Sequence, residues 1–136
     1  MDKAPVTGGC YCGDIRYKAG SSKTSSAICY CEDCRRLCGA QSVAWLSVQS
    51  AEFSFTKGNP VYYASSPGVT RTFCGKCGTT LTYQNINRKE EIDITTSSLD
   101  TPTQYPPTGL VYASKALAWD VLPALPVIFD PPAEMV

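Results

Sequence analysis

Eight cysteines and the absence of histidine set the chemistry that this 136-residue chain can support. Seven of the cysteines lie in close pairs with one or two residues between them: Cys10/Cys12, Cys29/Cys31, Cys31/Cys34 and Cys74/Cys77. Sulfurs at this spacing converge on one metal ion more easily than they reach distant disulfide partners. The pattern therefore favours metal binding over a disulfide scaffold or a redox dithiol. Without histidine, a Ser-His-Asp triad, a Cys-His dyad and histidine-ligated zinc are excluded.

The pair Cys74/Cys77 has the local sequence of a zinc knuckle. Gly75 and Gly78 follow the two cysteines, and glycine can adopt the positive φ that turns backbone N–H groups towards sulfur. Such donors stabilise the thiolate form that a zinc ligand requires. The flanking sequences VTRTF and TTLTY predict the two strands of a hairpin, whereas a redox C-x-x-C typically belongs to a βαβ unit.

One knuckle supplies two ligands, and a structural zinc site needs four. The second pair can come from Cys10/Cys12 or from the dense group within residues 29–38. In the first case a three-thiolate set remains, formed by Cys29, Cys31 and Cys34. The eighth cysteine, Cys38, then either closes a second tetrahedron or is a small buried residue. Spacing alone leaves both arrangements open.

Composition excludes several kinds of partner. Lys plus Arg and Asp plus Glu number 12 each, so the net charge is zero, and neither nucleic acid nor an anionic membrane is an expected partner. The hydrophobic fraction of 43% and the charged fraction of 18% support a packed core. Residues 1–10 carry no apolar signal-peptide core, and no apolar run approaches the ~20 residues of a membrane span. We therefore expect a cytoplasmic protein.

Short runs rich in β-branched and aromatic residues, separated by Gly, Pro, Ser and Asn, predict a mainly β chain. Strands are expected at residues 14–18, 26–30, 42–48, 52–56, 61–64, 70–73, 79–83, 91–95 and 110–113. Helix is expected only at Glu32–Cys38. Aromatic side chains on the strands are expected in the core: Trp45, Phe53, Phe55, Tyr62, Tyr63 and Tyr83. We expect one domain over residues 1–136, with a core at 7–120 and an extended Pro-rich tail at 121–136.

Three stretches carry most of the cysteines in a fixed order. They are Gly9-Cys10-Tyr11-Cys12-Gly13-Asp14-Ile15-Arg16-Tyr17, Cys29-Tyr30-Cys31-Glu32-Asp33-Cys34-Arg35-Arg36 and Phe73-Cys74-Gly75-Lys76-Cys77-Gly78-Thr79. These stretches resemble the glutathione-dependent formaldehyde-activating enzyme (Gfa-like) family. The resemblance implies an Mss4-like fold of packed antiparallel sheets with one short helix and a zinc knuckle.

The resemblance also implies two zinc ions per chain. A structural zinc would be bound by Cys10, Cys12, Cys74 and Cys77, and a catalytic zinc by Cys29, Cys31 and Cys34, which leaves Cys38 outside. Members of the family commonly carry histidine beside these cysteines, where this chain has Tyr11 and Tyr30. The usual Lys-Ala-Pro-Trp segment is one residue longer here, at residues 115–119, and lacks the proline.

The implied activity is that of a zinc-dependent lyase. It would make or break a carbon–sulfur or carbon–oxygen bond in a small organic or thiol-conjugated substrate, with a glutathione adduct among the candidates. Zinc held by three thiolates suits a soft ligand such as substrate sulfur. Glu32 and Asp33 are the acid–base candidates, although acidic residues at a helix N-terminus also stabilise the helix. Arg35 and Arg36 either form a solvated helix face or attract an anionic substrate.

The alternative is a non-catalytic Mss4-like zinc scaffold or interaction module. In that case both metal ions only hold the fold, and Cys38 completes the second site. The coordination of the second ion distinguishes the two functions, because a catalytic zinc keeps one position for substrate.

Overall fold

The structure, a computed structural model, describes residues 4–131 as a mainly β protein with two sheets. The strands are β1 (Val6–Gly9), β2 (Arg16–Ala19), β3 (Ser25–Cys29), β4 (Val43–Gln49), β5 (Ser54–Lys57), β6 (Val61–Ser66), β7 (Val69–Phe73), β8 (Thr80–Asn85), β9 (Glu91–Thr95), β10 (Leu110–Val111) and β11 (Val127–Phe129). Within residues 4–131 one α-helix forms, α1 (Glu32–Cys38), at the predicted position.

The two sheets differ in size and in strand direction. The smaller one has the order β1-β2-β5 and is antiparallel throughout. The larger one has the order β11-β10-β3-β4-β9-β8-β7-β6, and its pairs are antiparallel except that β10 runs parallel to both β3 and β11. The predicted mainly β fold with antiparallel sheets and one short helix is therefore confirmed.

The nine predicted strands all form, with ends shifted by a few residues, and β1 and β11 are additional. The β1 sequence VTGG contains two glycines, which are poor strand formers, so its sequence did not predict a strand. Gly8 is nevertheless required there, because a Cβ at this position would lie 2.2 Å from the Tyr17 hydroxyl oxygen of the neighbouring strand. Tertiary packing, not strand propensity, thus selects this residue.

Part of the Pro-rich segment that was expected to form an extended tail belongs to the larger sheet. Val127–Phe129 forms β11 and pairs with β10, and the Leu110 N–H donates to the Pro126 carbonyl over 2.8 Å. Residues 132–136 of the expected tail, and residues 1–3 at the other end, lie outside the described residues.

The main core lies between the two sheets. Tyr17 of the smaller sheet packs with Leu46, Val48 and Ile94 of the larger sheet, and each of these side chains is buried. Because side chains alternate along a strand, Val43 and Trp45 of β4 point to the opposite face of the larger sheet, where they pack against cysteines. One strand therefore supports both the inter-sheet core and a cysteine cluster.

An irregularity in the pairing of β8 with β7 changes the face of the sheet to which the β8 side chains point. Thr72 pairs with Thr82, but Phe73 pairs with Thr80, so Leu81 has no partner on β7. This bulge lets Leu81 pack into the inter-sheet core, whereas Tyr83 packs on the opposite face with the second cysteine cluster.

The expectation that all strand aromatics are buried was wrong for two residues. Tyr62 and Tyr63 are 65% and 50% exposed. The reason is that they lie on β6, which is an edge strand of the larger sheet and has a partner on one side only.

Candidate metal centres

Two turns bring together the sulfurs of the four cysteines that the family resemblance groups at one site. The turn after β1 carries Cys10 and Cys12, and the turn between β7 and β8 carries Cys74 and Cys77. These four Sγ atoms lie within 4.8 Å of one another. The Cys10–Cys12 and Cys12–Cys74 sulfur separations are 3.6 and 3.7 Å. Four sulfurs around a tetrahedral zinc, at about 2.3 Å each, are about 3.8 Å apart, so this first cluster fits such an ion.

Backbone donors point at the sulfurs of the first cluster. The Ile15 N–H donates to Cys10 Sγ over 3.2 Å, and the amides of Lys76 and Cys77 donate to Cys74 Sγ over 3.4 and 3.5 Å. The chain reverses direction after the second cysteine of each turn at a glycine with positive φ, since Gly13 and Gly78 have φ of 83° and 82°. Both turns therefore have the knuckle geometry that the sequence indicated for one of them.

The electrostatics of the first cluster also indicate a cation. The Thr79 hydroxyl, with nearby backbone donors, lowers the pKa of Cys77 to about 5. The Asp14 N–H acts to lower the pKa of Cys12, but burial and the neighbouring thiols together raise it to about 12. Four clustered sulfurs therefore cannot all ionise near neutral pH by themselves. A bound metal cation would supply the charge that allows them to do so.

The second cluster consists of Cys29, Cys31 and Cys34, whose Sγ atoms also lie within 4.8 Å of one another. Cys29 ends β3, Cys31 caps α1, and Cys34 lies in the first helical turn, where its N–H donates to Cys31 Sγ over 3.3 Å. Hydrogen bonds from the Cys29 and Cys31 thiols, together with Arg71, lower the pKa of Cys34 to about 3 despite its burial. The same group of sulfurs raises the pKa of Cys29 far above its usual range.

Cys38 is not among these clustered sulfurs. It ends α1, one turn beyond Cys34, and lines a cavity of about 410 Å³ together with residues of β4 and of the turn before β8. Burial is the main cause that raises the pKa of its thiol, so Cys38 favours the neutral form.

An arginine that the sequence analysis did not select lies against the second cluster. Arg71 of β7 is only 5% exposed, and its Nη1 and Nη2 atoms lie 3.9 and 3.7 Å from Cys34 Sγ. The guanidinium also lies 4.9 Å from the centre of the Tyr83 ring, and Nε donates to Ser65 Oγ over 3.1 Å. The sequence did contain a signal for this buried arginine. Arg71 lies two residues from both Val69 and Phe73, so the three side chains share one face of the strand.

Aromatic side chains surround the second cluster. Trp45, Tyr83 and Tyr112 pack against its cysteines, and the Trp45 and Tyr83 ring centres are 6.0 Å apart. Tyr112 has φ of 57° and ψ of 39°, a left-handed conformation that is uncommon for a bulky residue. Such strain occurs preferentially where a side chain must be placed for function.

The charged candidates on α1 lie on its outer side. Glu32 and Asp33 are exposed residues of the first turn. Arg35 Nε donates to the Tyr30 carbonyl over 3.3 Å, and Arg36 is exposed. Of the arginines near the cysteines, the one in contact with a cluster sulfur is thus Arg71 rather than Arg35 or Arg36.

Packed antiparallel sheets with a four-cysteine and a three-cysteine cluster define a cysteine-rich β protein with two candidate metal centres. Residues 5–115 match the model of the family described as glutathione-dependent formaldehyde-activating enzyme, and the chain belongs to that family.

Proteins similar to the chain include a curated relative and a solved structure. A Schizosaccharomyces pombe protein described as an uncharacterized lyase is 37% identical over 82 residues, which is 60% of this chain and 59% of that protein. The chain thus matches somewhat over half the length of this relative. A Rhodobacter sphaeroides protein, whose crystal structure was solved as a structural genomics target, is 22% identical with a TM-score of 0.56 over 69% of this chain and 87% of that one. This second similarity concerns the fold.

None of the helices in residues 4–131 combines the length and the apolar character needed to cross a lipid bilayer.

Proposed function

We propose that this chain is a single-domain, zinc-dependent lyase with an Mss4-like fold. It makes or breaks a carbon–sulfur or carbon–oxygen bond in a small organic or thiol-conjugated substrate. The substrate transformation takes place at Cys29, Cys31 and Cys34, whereas the four-cysteine cluster is structural. The family description and the lyase relative support an enzyme of this kind. All eight cysteines are free of disulfides, which supports a reducing compartment such as the cytoplasm.

Zinc is the ion that the donor sets favour. Cysteine thiolates are soft ligands, and sites of three or four of them in tetrahedral arrangement are typical of zinc. The first cluster supplies four such donors, which is a closed set, and the second supplies three. When bound at the second cluster, zinc would contribute Lewis acidity and an affinity for substrate sulfur.

The position of Cys38 is the observation that carries the lyase proposal. A structural site would be expected to gather a fourth protein sulfur, yet Cys38 does not join the second cluster although it lies on the same helix. The donor count therefore matches that of a catalytic centre, in which three protein ligands leave one position for substrate.

Other residues of the chain have supporting roles in this proposal. Trp45, Tyr83 and Tyr112 limit the access of water to the cluster, which strengthens the electrostatic interactions there. Glu32 and Asp33, on the helical turn that carries Cys34, are the candidates to accept or donate a proton. Their other effect is to stabilise the N-terminus of α1.

The addition of formaldehyde to a thiol tests this function. Free formaldehyde and glutathione exchange with their S-hydroxymethyl adduct, and the zinc-loaded protein should accelerate this exchange. Exchange NMR with ¹³C-formaldehyde measures the rate. Cys31→Ser should abolish the acceleration while the protein stays folded, because serine retains the helix cap but is a poor zinc ligand. Cys38→Ala is the matched control and should keep most of the acceleration.

The substrate panel should also include smaller thiols such as cysteamine, since glutathione is one thiol among several. The lyase proposal would be wrong if the protein holds two zinc ions per chain but does not accelerate the exchange of any thiol adduct in the panel. It would also be wrong if Cys31→Ser exchanges adducts as fast as the unaltered protein.

A further inference from the structure

We propose that Arg71 is a positioning residue that compensates the charge of the three-cysteine centre, so that the substrate binds there as a thiolate anion. This inference rests on the proposed function and adds a residue to its site. It also explains a buried guanidinium that the fold alone does not require.

The surroundings of Arg71 provide no carboxylate partner. None of the ion pairs within residues 4–131 includes this arginine. Asp93 lies two strands away in the same row of the sheet, because Arg71 pairs with Tyr83 and Tyr83 pairs with Asp93. Its carboxylate is already engaged by Ser47 and Arg88. The cysteine sulfur of the second cluster is therefore the anionic group that Arg71 contacts.

A buried charge without a partner is strongly unfavourable, so the site must supply a counter-charge. Cys34 does this, since both terminal nitrogens of Arg71 point at its sulfur. The Tyr83 ring and the Ser65 hydroxyl fix the guanidinium in that position. The arginine is thus held at the cluster by three separate contacts and cannot easily turn to solvent.

The charge of the loaded centre shows why the arginine matters. Three thiolates exceed the charge of a divalent ion by one, and an incoming thiolate would raise the excess to two. In a partly buried site this repulsion opposes binding. The fixed positive charge of Arg71 offsets one negative charge, whereas a neutral ligand would gain much less from it.

Cobalt-substituted protein allows the fourth ligand to be observed, because thiolate coordination to Co²⁺ produces charge-transfer absorption. The full-length chain loaded with Co²⁺ is titrated with 2-mercaptoethanol as the anionic probe and with imidazole as the neutral probe, at one fixed pH. Arg71→Met should weaken the binding of 2-mercaptoethanol by about tenfold or more. The affinity for imidazole should change by less than about twofold, since imidazole binds without charge.

Two further variants separate the charge from the packing of this side chain. Arg71→Lys keeps a positive charge and should restore most of the affinity for 2-mercaptoethanol. Lys18→Met removes an exposed positive charge on the smaller sheet, and it should leave both affinities unchanged. If Arg71 had a purely structural role, Arg71→Met would instead weaken the binding of both probes equally or leave both affinities unchanged.

The outcomes distinguish this inference from the proposed function. If the unaltered protein responds to 2-mercaptoethanol and Arg71→Met binds it equally well, the role of Arg71 is overturned and the open three-cysteine site stands. If the unaltered protein shows four-thiolate absorption at both ions before thiol is added, the site is closed and both proposals fail. If Arg71→Met does not bind the second metal ion, the Arg71→Lys variant distinguishes the outcomes. Retained affinity of Arg71→Lys for 2-mercaptoethanol supports the inference, and failure of Arg71→Lys to bind the second ion overturns it.

Discussion

At the scale of single residues, the assignment of each cysteine follows from where its sulfur lies. Helical spacing puts Cys38 on the same face as Cys34 but one turn, about 6 Å, further along. Cys31 lies just before the helix, where its sulfur can meet that of Cys34. A straight helix of seven residues therefore brings one cysteine to the cluster and carries the next one past it.

Cys38→Ala is the residue-level prediction. Both metal ions should be retained, and the free energy of unfolding should fall by about 1 kcal/mol through the loss of a small, partly buried side chain. Metal analysis and urea denaturation measure the two quantities. Cys34→Ala serves as the comparison, and it should lose one ion. Loss of the second ion from Cys38→Ala would show that four thiolates close this site.

At the scale of elements, two short turns determine the first cluster. Each turn has two cysteines followed by a glycine with positive φ, and each points backbone N–H groups at sulfur. The conformation, not the available space, requires glycine, because a Cβ added at Gly13 or Gly78 would meet no atom within 4 Å. An alanine would fit sterically but would be strained by about 1–2 kcal/mol.

Gly78→Ala should therefore weaken zinc binding at the first cluster by roughly tenfold, because the strain opposes the turn that presents Cys74 and Cys77. Competition with a chromophoric chelator measures the change. Gly75→Ala is the matched control from the same turn, since Gly75 does not have positive φ and its added Cβ would touch only Val61 Cγ2 at 3.0 Å. Equal weakening by both variants would contradict the role assigned to the φ of Gly78.

At the scale of the whole molecule, the two clusters lie in different places relative to the core. Cys10 and Cys74 pack into the core between the sheets and follow the ends of β1 in the smaller sheet and β7 in the larger one. Cys29 and Cys34 pack with Val43 and Trp45 on the other face of the larger sheet. A metal bound by the first cluster would therefore connect the two layers, whereas the residues of the second cluster would hold a metal away from the contact between the layers.

This difference predicts unequal effects of losing a ligand. Cys77→Ser should greatly reduce stability, because metal binding at a structural thiolate site contributes on the order of 10 kcal/mol to folding. Cys31→Ser should leave a folded protein with one zinc. Thermal unfolding combined with metal analysis tests both, and unaltered protein should contain close to two zinc ions per chain. If both variants unfold alike, the second site is structural as well.

Local patterns in the sequence predict the mainly β class and the short helix, whereas the division of the cysteines into two clusters was implied by the family resemblance and not by their spacing. Alternation and turn residues specify strands, and Cys29, Cys31 and Cys34 lie close enough in sequence to meet at the start of one helix. The four-cysteine cluster depends on the tertiary structure, because Cys12 and Cys74 are 62 residues apart. β1 and β11 were not predicted, because their residues become strands only by pairing with β2 and β10. Arg71 was also not selected, since it reaches Cys34 across 37 residues of sequence, and only the folded sheet brings the two together. The positive charge at the second cluster was therefore identified from the folded protein, because burial and contact between distant residues are properties of the assembled sheets.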